Sequence, residues 1–165
     1  MKRTAVREHV FRILFRYDFY DKEDFGAQAD LYFDNYPDYR EEPREDGAQP
    51  SAADKARKVH VPTELDRAEI ISRACDAASH IEELDGRIGS VCEGWRLERI
   101  GKAELTILRL AAYEILYDDA IQPPVAINEA VELSKKYCEA KSHSFVNGVL
   151  AKLVKSLEAE PAGQE

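Results

Sequence analysis

No stretch of this 165-residue chain approaches the roughly 18–20 consecutive apolar residues needed to cross a bilayer, so no membrane span is predicted. The opening MKRTAVREHVF has no apolar segment leading to a cleavage site, and a secretory signal is not expected. Cysteine is scarce: Cys75, Cys92 and Cys138 are odd in number, widely spaced and without a CxxC pair. That usage predicts reduced, small core thiols in a cytoplasmic protein rather than a disulfide framework. His9, His60, His80 and His143 show neither HxH nor HxxxH spacing, so no zinc ligand set is present. The glycine-rich phosphate loops of nucleotide-binding proteins are also missing. Ser142-His143-Ser144 sets hydroxyls beside an imidazole, but adjacency supplies no third group to aim a base. Glu129 and Glu132 share a helix face and read as solvated acids, Glu129 close to a helix start where the dipole favours an anion. No catalytic residue, metal or cofactor is expected, and the chain does not read as an enzyme.

What is present is apolar periodicity at helical spacing. Apolar residues make up 44% of the chain, enough for a packed interior. Ile100, Ile107, Leu108, Ala111, Ile115 and Leu116 mark one helix over 99–117. After Gln122-Pro123-Pro124 the pattern restarts at Val125, Ala126, Ile127, Ala130, Val131 and Leu133. It restarts again at Phe145, Val146, Val149, Leu150, Leu153 and Leu157. Upstream, a first helix is predicted over 4–22, with Thr4 as its cap and Phe11, Phe15 and Phe19 as a second apolar stripe. A short helix is expected over 24–37. Pro62-Thr63-Glu64 can open another, with a core face of Leu65, Ile70, Ile71, Ala74, Cys75, Ala78 and Ile81. The Asp85-Gly86 pair predicts a break before a shorter helix that lays Trp95 on the core. Between these, 38–60 carries Pro43, Gly47 and Pro50, many charges and no periodicity, and is expected to be a flexible loop. The expected architecture is all-α, with about seven helices in two packed three-helix groups sharing one core, as a single domain over 1–160.

Charge is unevenly placed. The net charge of −9 argues against a generic nucleic-acid coat. Residues 1–20 nevertheless carry Lys2, Arg3, Arg7, Arg12 and Arg16 against Glu8 and Asp18, whereas 21–54 hold eleven acids against three bases. The pattern suggests a local basic site on an acidic body. Arg3 and Arg7 are surface neighbours in a helix, and Arg12 and Arg16 form a second pair on another side. These arginines are either solvated pairs flanking a core helix or a phosphate-gripping cluster. Lys135, Lys136, Lys141 and His143 add positive charge near Phe145, which either completes the core stripe or stacks on a base. Gly148, inside a helical pattern, suggests a close backbone approach from core packing or from a ligand.

The segments LRLAAYEIL, VAINEAVELSKKY and SHSFVNGVLAKL, in that order, together with VREHVFRILFRYDF near the start, resemble the NusB family of transcription antitermination factors. The likeness is strongest over 95–155. It implies an RNA-binding protein that pairs with NusE, a small-subunit ribosomal protein, and binds single-stranded boxA-type RNA in nascent ribosomal RNA. The complex would then load on RNA polymerase. By the same resemblance Lys2, Arg3 and Arg7 would hold phosphates, Phe145 would stack on a base, and Lys141 and His143 would assist. Glu104 would face NusE, its other reading being a favourable charge at a helix start. Where the family often has several consecutive basic residues, this chain has Lys2-Arg3-Thr4-Ala5, and at Lys141 the family often has an acid. A lysine there would partly compensate the thinner N-terminal cluster. Two other readings stay open: the RNA-recognition domain of a ribosomal RNA cytosine methyltransferase, for which the chain leaves no room for a catalytic domain, and a helical protein-interaction module without RNA. A homodimer through apolar helix faces also stays open.

Overall fold

The computed structural model describes residues 1–34, 62–92, 94 and 96–160, and all regular structure among them is helical. Helix α1 (Arg3–Leu14) tightens into a 3-10 turn over Phe15–Phe19, and a second such turn, Lys22–Asp24, leads into α2 (Phe25–Asp34). There follow α3 (Glu64–Ser79), α4 (Ile81–Val91), a 3-10 turn over Leu97–Arg99, α5 (Lys102–Tyr117), α6 (Pro123–Tyr137) and α7 (Ser142–Glu158). Among the described residues the seven α-helices fall into two groups, of three and of four helices. Helices α1 and α2 pack on α3; α5, α6 and α7 pack on one another, with α4 against α5 and α7. Helix α5 also touches α1 and α3, so one apolar core runs through both groups.

The central position of α5 follows from its composition. Every residue from Leu105 to Glu114 is buried, and a helix apolar on nearly all sides must be surrounded. Its two buried charges are both paired, as burial demands. Arg109 donates to both oxygens of Asp85 at 2.7 and 2.8 Å, and to Asp18 at 2.8 Å. Glu114 accepts from Arg7. Helix α6 opens with prolines at its first two positions, where the missing N–H groups have no intrahelical partner to lose. Helix α3 opens on a complete capping box: Thr63 Oγ1 accepts from the Asp66 amide at 3.1 Å and Asp66 Oδ2 accepts from the Thr63 amide at 2.8 Å.

Several expectations shift in the structure. Thr4 lies inside α1 rather than capping it; Lys2 is the extended residue before the helix, and its carbonyl already accepts from the Val6 amide at 3.1 Å. The first α-helix stops at Leu14, and the tighter turn that follows carries Asp18 to Arg109. In that turn the phenylalanine stripe rises out of the core: Phe11 is buried, Phe15 half-buried and Phe19 exposed. Leu65 is 84% exposed on the first turn of α3, and Ala77, not Leu65, completes the buried face with Ile70 and Ala74. The break predicted at Asp85-Gly86 falls at His80, whose backbone leaves the helical region; Asp85 is held within α4 by Arg109, and Gly86 sits on the exposed side. A Cβ added at Gly148 would meet nothing within 4 Å, so no close approach explains that glycine. The 38–60 segment and Trp95 lie outside the described residues.

Candidate nucleic-acid interface

The expected site residues divide between the two ends of the C-terminal helices. Lys2 and Arg3 are exposed at the start of α1. Arg3 lines a cavity of about 360 Å³ with Arg73, Asp118 and Ile121, beyond the C-terminal end of α5. Lys141 precedes α7 and is exposed; His143 and Phe145 stand half-buried in its first turn. There Ser142 Oγ donates to Glu104 Oε1 at 2.9 Å, which joins the starts of α7 and α5. Glu104 is thus half-buried and its carboxylate folds back against Gly101 at the head of α5. With 16 residues in α5, the two groups stand apart by roughly 24 Å, the length of that helix at about 1.5 Å per residue.

Arg7 belongs to neither group. Its side chain is 8% exposed, and its fork meets both oxygens of Glu114, at 2.8 Å from Nε and 3.0 Å from Nη2. Its remaining nitrogen, Nη1, lies 3.4 Å from Glu129 on α6. The side chain predicted to grip phosphate therefore ties three helices together, because α5 buries a carboxylate that Arg7 satisfies with both arms of its fork. Burial pushes Glu114 above the ordinary carboxylate range, and the Arg7 hydrogen bonds pull it only part-way back. Arg16 is likewise engaged, with its guanidinium 5.2 Å from the centroid of the Tyr32 ring.

Between the two ends runs the seam of α1 and α6. Glu8 Oε1 accepts from Arg12 Nη2 at 2.9 Å and Lys136 Nζ at 2.5 Å, and Tyr137 donates its hydroxyl to the same oxygen. Arg12 Nε in turn donates to the Tyr137 hydroxyl oxygen at 2.9 Å. Burial alone would raise Glu8, but these donors outweigh it and hold the carboxyl below its usual range. Burial and then the Glu8 hydrogen bond push Tyr137 up to about 12, so it stays a donor at neutral pH. Phe11 packs on the Tyr137 ring at 4.8 Å between centroids. Lys135 is exposed on the same helix and paired with Glu132 at 3.2 Å. This cluster was only partly legible in the sequence: the Arg12–Arg16 pair and the Lys135-Lys136 step are visible there, while their convergence on Glu8 and Tyr137 is not.

The sequence pattern of the NusB family matches residues 4–155 of this chain. The chain belongs to the NusB family of transcription antitermination proteins. The transcription antitermination protein NusB of Agathobacter rectalis is 38% identical over 152 residues, covering 92% of this chain and 98% of its own. That relative is matched along almost its whole length. Among solved structures, T. maritima NusB superposes with a TM-score of 0.69 at 24% identity, covering 94% of this chain and 92% of that one. A chain from a crystal structure described as a plectonemic RNA supercoil gives 0.62 at 25% identity, covering 96% and 98%. The relatives that carry the NusB name are named as transcription antitermination proteins.

Among the described residues no group of three His, Cys, Asp or Glu side chains could hold a metal ion, and no helix is long and apolar enough to cross a membrane. The three cysteines are free thiols, and burial followed by the Glu104 carboxylate pushes Cys138 up to about 11. Such a thiol is protonated at neutral pH and a poor nucleophile.

Proposed function

We propose that this protein acts in transcription antitermination in the cytoplasm by pairing with NusE and binding single-stranded boxA-type RNA in nascent ribosomal RNA, the pair then acting on the RNA polymerase elongation complex. Family membership over 4–155 carries the reading. Physical support comes from the charge pattern. The chain is acidic overall, yet Lys2, Arg3, Lys135, Lys136 and Lys141 are exposed from the start of α1 to the start of α7. A basic track on an acidic body attracts phosphate locally while repelling RNA elsewhere. Phe145, half-buried in the first turn of α7, would offer a ring to an unstacked base. Glu104 and the acidic remainder complement a basic ribosomal protein. Arg7 is left out of the RNA contacts, since its fork is already engaged by Glu114.

The test is fluorescence anisotropy of a labelled boxA-type RNA, with and without NusE, at two salt concentrations and against a scrambled RNA. Selective binding that tightens with NusE, and weakens on Lys141→Glu, is the expected result. Equal binding to both RNAs, or none with NusE present, would overturn the reading.

A further inference from the structure

Three donors from two helices converge on one oxygen at the α1–α6 seam. Arg12 and Glu8 stand one turn apart on α1, and Lys136 and Tyr137 are adjacent at the end of α6. The arrangement is more than a buried tie. The Lys136 side chain is 57% exposed and that of Arg12 37%, so both cations open to solvent beside the carboxylate they share. Two cations face a single carboxylate there, which leaves the cluster one positive charge in excess. The groups that meet Glu8 Oε1 are an ammonium, a guanidinium N–H and a phenol O–H, the set that serves an anionic phosphate oxygen equally well. Glu8 is four residues from Arg12 on the same helix face, and its side chain is 20% exposed.

We propose that Arg12, Lys136 and Tyr137 form a seat for one backbone phosphate of RNA, and that the Glu8 carboxylate occupies this seat in the free protein. The inference rests on the RNA-binding reading above and adds to it a contact in the seam between the two groups of expected residues. Glu8 then acts as an internal competitor: a polyanion lacking favourable contacts on either side does not displace it, whereas RNA held at both ends does. The seat thereby favours selectivity over raw affinity.

The experiment compares the full-length wild type with E8Q, E132Q, K136A and the double variant E8Q/K136A, using labelled boxA-type RNA and scrambled RNA in anisotropy. E132Q removes an equal charge from the same surface, where Glu132 pairs with Lys135. If the seat exists, E8Q tightens RNA binding about five- to tenfold, well beyond E132Q, the range set by freeing charge-assisted donors. The slope of log K against log salt steepens by about 0.7, the value of one further phosphate on a single strand. K136A weakens the wild type about fivefold and cancels the gain in the double variant. Equal effects of E8Q and E132Q, or a gain that survives K136A, would overturn the seat while leaving selective wild-type binding, and so the RNA reading, intact. Absence of RNA binding in every form would instead sink the RNA reading, and the seat with it. Thermal melts of each variant check folding; if E8Q does not fold, an unchanged RNA affinity in K136A, which alters an exposed side chain, overturns the seat.

Discussion

Replacing Arg7 by alanine separates the two roles that this residue could have. As a phosphate clamp, its loss would weaken RNA binding, lower the salt slope by about 0.7 and leave the fold intact. The structure requires the opposite. Arg7 and Glu114 are both buried, joined by hydrogen bonds of 2.8 and 3.0 Å, with Glu129 a further 3.4 Å away. Removing one member of such a pair strands the other, at a cost of about 3–5 kcal/mol. In a domain of this size that corresponds to a fall of about 10 °C in Tm. Urea titration followed by far-UV circular dichroism should show a lower midpoint with an unchanged slope. Replacing both members together, Arg7→Met with Glu114→Leu, should recover most of the loss because no charge is left buried. The defect also depends on pH. Glu114 already sits above its ordinary value of 4.5, with burial the dominant cause and Arg7 opposing it. An acid whose folded pKa exceeds its unfolded pKa stabilises fully below the unfolded value and loses that contribution as pH rises through the folded one. Without Arg7 the folded value rises further, so R7A should be less harmful at pH 5 than at pH 8. An unchanged unfolding midpoint combined with a lower RNA salt slope would refute this reasoning.

Arg109→Ala should be at least as damaging, about 3–5 kcal/mol in urea titration, since it leaves Asp85 and Asp18 facing each other around an emptied buried site. Phe145→Leu should retain most of the packing of α7 and hence the Tm, yet weaken boxA-type RNA binding about tenfold through the lost ring stack; an unchanged affinity would return Phe145 to the core. Gly148→Ala should raise stability by about 0.5–1 kcal/mol, because a Cβ meets open space there and alanine is the better helix former. If the same variant loses RNA affinity, the glycine is kept for the ligand rather than for the fold.

The seven helices were legible in the chain because their signals are local. Apolar residues at helical spacing placed α5, α6 and α7, prolines opened α6, and Pro62-Thr63-Glu64 marked the start of α3. The family, too, was readable from three ordered segments now matched within 4–155. The errors are those that local pattern cannot catch. Leu65 has the right period and the wrong surroundings, since it lies on the exposed first turn of α3. Asp85-Gly86 has the composition of a turn, but Arg109, 24 residues away, holds the aspartate in a helix.

The site divides along the same line. Sequence alone determined which residues are cationic, that they gather near the start of α1 and around the start of α7, and that the body between is acidic. Only the tertiary structure decided which of those cations face solvent. Arg3 and Arg7 are equivalent neighbours on one helix by spacing, yet Arg3 is exposed and Arg7 is consumed by Glu114, 107 residues further on. Arg12, equally anonymous in sequence, meets Lys136 and Tyr137 on Glu8. An arginine's charge is set by its own chemistry, but its availability depends on which buried carboxylate the folded chain brings within hydrogen-bonding reach.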